Sequence, residues 1–204
     1  MIDYGHEDIT LEKIQFIWIA DIGDLRFTKE EIEKVCTDNT IIILSGYSKK
    51  KAKKYNEDNI KILTSLAPVY FVWGPQDYKG NYRDLNALLL DCKVTILENT
   101  NAKFETENGT KFSLIGLDDV DSIRYNLEYA LEDLEDQHLN ILISFKEVRE
   151  SLSTKYENIQ VYLFGNSQVS SKRNDRTIYL ELNSKSGFLK RSFISVINFN
   201  VKQK

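Results

Sequence analysis

Three nearly continuous apolar runs, each followed by a helix-patterned segment, constrain this chain more than any other feature. "KIQFIWIAD" (13–21), "TIIILSG" (40–46) and "PVYFVWG" (68–74) are rich in β-branched and aromatic residues and carry little polar alternation. A strand reads this way when both of its faces are buried. After them come "FTKEEIEKVCTDN" (27–39), "SKKKAKKYNEDNIKILTSL" (48–66) and "YRDLNALLLDC" (82–92). Thr28 with Glu31 three residues later forms a capping-box pattern. Ile60, Leu63 and Leu66 recur at helical spacing. The order β-α-β-α-β predicts a largely parallel sheet with right-handed crossovers.

The second half is richer in strands. "KVTILEN", "AKFETENG", "TKFSLIGLDD", "LNILISF" (139–145), "IQVYLFG" (159–165), "TIYLEL" and "FISVINF" all read as strands. A turn at Glu107-Asn108-Gly109 joins the second and third of them. Segment 120–136, "VDSIRYNLEYALEDLED", predicts one amphipathic helix with Ile123, Leu127, Leu131 and Leu134 on a single face. No internal repeat, low-complexity tract or Pro-rich linker interrupts the chain. Its 204 residues, with two prolines and nine glycines, predict a single domain over 1–204, with 1–12 as an N-terminal extension and 13–199 as the core.

Composition narrows the function classes. Lys and Arg total 27 against 31 Asp and Glu, a net charge of −4, which does not describe a general nucleic-acid binder. Cys36 and Cys92 lack CxxC spacing and read as reduced thiols of a cytosolic protein. The polar start "MIDYGHEDITLEK" is not a signal peptide. No apolar run approaches the ~18 residues of a membrane span. A cytoplasmic location without a transmembrane segment is the expectation. Neither histidine, His6 or His138, stands in a motif, and both read as solvated surface residues. The chain contains no nucleophile elbow, Walker motif or GxGxxG.

In an open α/β sheet, ligands bind beyond the carboxyl ends of the strands. Those ends carry Asp21-Ile22-Gly23-Asp24, Ser45-Gly46-Tyr47, Gly74-Pro75-Gln76-Asp77, Ser144-Phe145-Lys146 and Gly165-Asn166-Ser167-Gln168. In that order, "FIWIADIGD", "IIILSGYSK", "PVYFVWGPQDY", "ILISFKEV" and "VYLFGNSQ" resemble the five strand-end motifs of the calcineurin-like metallophosphoesterases. That family's pattern is D-x-H, G-D, G-N-H-D, a lone H, and G-H-x-H. "FSLIGLDD" resembles the strand before a helix in the family's bacterial branch. The resemblance spans residues 13 to 199. It implies a four-layer α/β/β/α sandwich of two mixed sheets flanked by helices.

The family's reaction uses two metal ions about 3.5–4 Å apart to clamp a phosphoryl group. A bridging carboxylate and neutral imidazoles or amides hold them. Mapped onto this chain, the seven ligand positions are Asp21, Gly23, Tyr47, Pro75, Phe145, Asn166 and Gln168, and only Asp21 keeps the family's residue. Gln76 stands where the family has its proton-donating or phosphate-contacting His, beside Asp77. The resemblance therefore implies a fold whose two-metal chemistry has gone: no catalytic residue, no cofactor, and at most one weakly bound divalent cation. Asp21, Asp24, Asp77, Asn166 and Gln168 are oxygen donors suited to Mg²⁺ or Ca²⁺. Tyr47 and Phe145 lower the charge of the vacated site and fill it, and the Tyr47 hydroxyl is expected to donate to Asp21.

Three functional readings follow. The first is an inactive binding, scaffolding or regulatory protein whose partner is another protein. The second is a hydrolase with residual single-metal activity on phosphoesters. The third is a metal-free sensor of an anionic ligand, nucleic acid included. For the third, Lys49, Lys50, Lys51, Lys53 and Lys54 form a basic run next to the degenerate G-D loop. Lys172, Arg173 and Arg176 follow the degenerate G-H-x-H loop. Cations near a helix N-terminus oppose its dipole, so the lysine run is the leading candidate binding patch. Tyr70 and Trp73 are expected in the core or on a sheet face, while Tyr78 and Tyr82, beyond the loop, have a partner surface as the lesser of two readings.

Overall fold

In the computed structural model, which describes residues 11–47, 57–148, 158–168, 170–173, 178–183 and 194–202, the apolar runs become two sheets packed face to face. The first sheet is built from β1 (Leu11–Ala20), β2 (Thr40–Ser45), β3 (Val69–Val72), β4 (Thr95–Ile96) and β11 (Ile194–Lys202). Its order is β11-β1-β2-β3-β4. The β1 to β4 pairings are parallel, and β11 runs antiparallel to β1. The second sheet contains β5 (Thr100–Glu105), β6 (Lys111–Gly116), β7 (Leu139–Ser144), β8 (Val161–Gln168), β9 (Ser170–Arg173) and β10 (Ile178–Asn183). Its order is β5-β6-β7-β8-β10-β9, parallel through β6, β7, β8 and β10 with antiparallel edges.

Period-two burial explains why the strand sequences are continuously apolar. In β1, Phe16, Trp18 and Ala20 face the second sheet and pack with Leu114, Ile141, Ile143 and Leu163. Ile17 and Ile19 point the other way, onto Ile60 and Leu63 of α2 (Glu57–Thr64) and Leu85 and Leu89 of α4 (Tyr82–Asp91). Ile32 of α1 (Lys29–Glu33) joins them. On the far side of the second sheet, Leu127 and Ala130 of α5 (Leu127–Ala130) cover Ile115, Leu142 and Tyr162. Helices, sheet, sheet and helix thus form the expected four-layer sandwich, and α1 begins at the expected capping box of Thr28 and Glu31. Among the described residues no helix is long and apolar enough to cross a membrane.

Three expectations are corrected. Segment 120–136 is not one helix: only Leu127–Ala130 is helical, and Ile123 is fully exposed at 104%. Polar side chains stop the helix locally. The Ser122 hydroxyl accepts from the Arg124 N–H, Asn126 caps α5 by accepting from the Tyr129 N–H, and Asp133 ends the segment at φ 58°. His138 is buried rather than solvated, with Nδ1 3.1 Å from the Ser113 hydroxyl and Nε2 3.3 Å from a Glu135 carboxylate oxygen. Residues Asn166 and Gln168 lie within β8, which runs to Gln168 instead of ending at Gly165.

Candidate functional site

The site is assembled where β1, β2 and β3 of one sheet and β7 of the other all end. Beyond β1, Asp21 turns the chain with φ 51°, a left-handed conformation that Asp tolerates better than most residues. Its N–H donates to the Ser45 carbonyl at 3.1 Å. The 3₁₀ turn Ile22–Asp24 follows, and the Gly23 N–H donates to the Tyr47 carbonyl at 2.7 Å. A Cβ on Gly23 would stand 2.6 Å from that same oxygen and 2.8 Å from Cε1 of the Tyr47 ring. Only glycine permits so close an approach. Tyr47 itself is buried, with 1% of its surface exposed.

Phe145 lies at the centre. It is the first residue beyond β7 and is 5% exposed. Its ring crosses to the first sheet. A Cβ on Gly46, whose φ is +70°, would lie 2.7 Å from Cε2, and one on Gly74 would lie 2.7 Å from Cδ2. The Asp21 carboxylate reaches the same spot, with Oδ1 3.6 Å from the Gly46 Cβ position. Two supports hold Phe145 there. The Gly165 N–H of β8 donates to its carbonyl at 3.1 Å. The Tyr162 hydroxyl, joined to the Ser144 hydroxyl at 2.7 Å, accepts from the Val148 N–H at 2.8 Å and so fixes the following loop. Burial pushes the Tyr162 hydroxyl pKa up, which keeps it a neutral donor and acceptor.

"GPQDY" turns the end of β3 into a helical turn, α3 (Pro75–Tyr78), with Pro75 in its favoured first position. Gln76 is exposed and Asp77 buried. The Asp77 carboxylate staples two loops: Oδ2 accepts from the Gly74 N–H and Oδ1 from the Tyr47 N–H, both at 2.9 Å. Among the described residues, no group of three His, Cys, Asp or Glu side chains is placed to hold a metal ion. The structure therefore brings together Asp21, Gly23, Tyr47, Pro75, Asp77 and Phe145. Asn166 and Gln168 sit on β8, and Lys172 and Arg173 on edge strand β9. The run Lys49, Lys50, Lys51, Lys53 and Lys54, together with Arg176, lies outside the described residues.

Beside this aromatic centre sits a charged cluster that sequence reasoning did not assemble. Asp118, just past β6, is fully buried. Its Oδ1 accepts from the Tyr78 hydroxyl at 2.5 Å and from the Asp119 N–H at 2.7 Å, and its Oδ2 lies 3.2 Å from Arg124 Nε. Arg124 also pairs with Glu98, which accepts from the Trp73 indole N–H at 2.8 Å. The guanidinium stands 5.5 Å and 5.7 Å from the ring centres of Tyr78 and Tyr82. Burial raises the Asp118 carboxyl above the usual range, against the pull of the Tyr78 hydroxyl. Burial, then the bond to Asp118, raises the Tyr78 hydroxyl. Trp73 is buried as expected, and Tyr78 and Tyr82 are half-buried against it. The apolar run "FSLIGLDD", ending in paired acids, was the signal available for a buried carboxylate.

The chain matches no protein-family model. The uncharacterized protein YpbG of Bacillus subtilis (strain 168) is 29% identical over 144 residues, 70% of this chain and 54% of YpbG. The chain thus spans about half the length of this curated relative. Among solved structures, the phosphopantetheinyl hydrolase PptH of Mycobacterium tuberculosis superposes with a TM-score of 0.59 at 10% identity, over 91% of this chain and 96% of PptH. TT1561 of Thermus thermophilus gives 0.55 at 15% identity, over 83% and 89% of the two chains. GAP50 of Plasmodium gives 0.52 at 15% identity, over 91% and 81%. At these identities the likeness shows the fold alone, an α/β sandwich of two mixed sheets.

Proposed function

We propose that this chain is a catalytically inactive, metallophosphoesterase-like protein that serves as a binding, scaffolding or regulatory module. The observation that carries this reading is the Phe145 ring wedged against Gly46 and Gly74. The resemblance assigns Phe145 to a ligand histidine, and a phenyl ring offers no lone pair to a metal. Gly23 and Tyr47 repeat the pattern: the first position has lost its side chain and the second fills the space beside it. Asp77 directs both oxygens to backbone donors, which fits a loop retained for its shape. The neighbours span both kinds of role, since PptH is a hydrolase and GAP50 is described as the anchor in the inner membrane complex of Plasmodium.

The remaining oxygen donors, with Asp21 at their head, keep a single-ion hydrolase as the second reading, because the Asp21 carboxylate faces the Phe145 site. Turnover separates the two. The purified chain is assayed on bis(p-nitrophenyl) phosphate with Mn²⁺, Mg²⁺ or Ca²⁺. The expected result is hydrolysis no faster than metal in buffer alone. Metal-dependent turnover that Asp21→Ala abolishes would overturn the inactive reading and establish the single-ion one.

A further inference from the structure

Strand β11 closes one side of the first sheet, and its outer edge is not paired by any other strand among the described residues. Which backbone groups face that edge follows from the ladder. The Gln15 N–H donates to Asn39 and the Asp21 N–H to Ser45, so the odd residues of β1 point their backbone groups at β2. The even residues Ile14, Phe16 and Trp18 must then bond to β11, opposite Phe199, Ile197 and Ser195. In β11 the alternate residues, Ile194, Val196, Asn198, Asn200 and Lys202, direct their N–H and C=O groups away from the sheet.

Edges of this length are normally blunted by charge, proline or a bulge. "ISVINFNVK" has none of the three before its last residue, and its pairing to β1 runs nine residues without a register shift. Its composition is that of a strand that accepts another strand.

We propose that the occupant of this edge is the β11 of a second copy of this chain, joined antiparallel about a two-fold axis at Asn198. The strand is self-complementary in that register. Val196 falls opposite Asn200 and Ile194 opposite Lys202, so the single charge of each strand never meets its twin. On the sheet-facing side, Ile197 of each copy falls opposite Phe199 of the other. Both already pack into the inter-sheet core, with Phe199 edge-on to Phe16 at 5.5 Å. Aromatic and β-branched residues are favourable cross-strand neighbours. On the opposite side Val196, 43% exposed over its own sheet, gains cover. The interface is isologous, as a closed dimer requires, and joins two five-stranded sheets into one.

The test is sedimentation velocity of the full chain over a hundredfold concentration range, with two variants. Asn198→Pro removes the outward N–H and no ladder bond, since its N–H faces away from β1, a position where edge strands tolerate proline. Val196→Lys places a charge on the edge. We expect a concentration-dependent dimer, weakened roughly 10- to 100-fold by Asn198→Pro through loss of two symmetry-related donors. Val196→Lys should weaken it as well. Hydrogen exchange on the unaltered chain covers the case in which a variant misfolds: the Val196, Asn198 and Asn200 amides should gain protection as concentration rises, while Ile197 stays protected throughout. A monomer at every concentration, a dimer unaffected by folded variants, or those three amides exchanging fast at all concentrations would each overturn the proposal.

Discussion

The two clusters at the end of the sandwich are built on opposite principles. Around Phe145, carbon rings and glycines meet, the Asp21 carboxylate reaches the same spot, and the buried Asp77 carboxylate is taken up by backbone N–H groups. Around Asp118, a fully buried acid is answered by a hydroxyl, a guanidinium and a backbone N–H. The first cluster gathers strand ends that the sequence resemblance assigns to metal ligands, and the second stands beside it, with Tyr78 following Asp77 directly in the chain. In the second cluster the buried charge stands where neighbouring side chains satisfy it, and in the first the space is taken mainly by rings. Buried charge persists when paired, and a vacated site is stable when its volume is filled. Retained polar residues in this fold are therefore weak evidence for chemistry, and their partners decide what they do.

That contrast predicts a graded set of responses. Phe145→Ala should cost about 3–5 kcal/mol, because it empties a packed, buried position; urea unfolding measures it, and a loss near zero would mean the ring is not a structural plug. Next, Asp77→Ala strands the buried Gly74 and Tyr47 N–H groups and should cost about 2–4 kcal/mol, read by the same titration. On the charged side, Arg124→Ala should cost about 1–3 kcal/mol, less than for a wholly buried pair because its side chain is 40% exposed. An effect equal to that of Phe145→Ala would erase the distinction between the clusters.

The smallest effect concerns pH. Folding raises the Asp118 pKa through burial, so the native state holds this proton more tightly than the unfolded chain. Its contribution to stability is complete below the unfolded value and is lost as pH rises through the folded one. Asp118→Asn cannot titrate. Relative to that variant, the unaltered protein should gain stability as pH falls from 7 toward 5. Movement the other way would show that Arg124 dominates and holds the carboxyl ionised.

Much of this architecture is legible in residues 13–92, where each buried strand announces itself by a run of β-formers and each helix by capping or spacing. Thr28 with Glu31, and Ile60 with Leu63, behave as read. Segment 120–136 misleads because Ile123, Leu127, Leu131 and Leu134 satisfy helical periodicity, while Ser122, Asn126 and Asp133 impose local turns that periodicity ignores. His138 misleads because a lone polar residue before a strand carries no sign of the Ser113 hydroxyl that receives it. The replacements at Tyr47 and Phe145 were visible one by one. Their packing against Gly23, Gly46 and Gly74 was not, since a glycine at a strand end looks like any turn until the opposing ring is placed. Arg124 and Asp118 were missed for the same reason, because their pairing depends on the path of an irregular loop.

The central claim, that rings fill the place of a two-metal centre, is tested most directly by counting ions. The purified chain is equilibrated with Mn²⁺, Mg²⁺ or Zn²⁺, desalted and analysed for its elements, with a calorimetric titration to register weak binding. The account predicts no stoichiometric binding of a metal pair, and at most one weak ion in the titration. Close to two ions per chain would contradict it, and would require Phe145 and Tyr47 to move out of the positions described above.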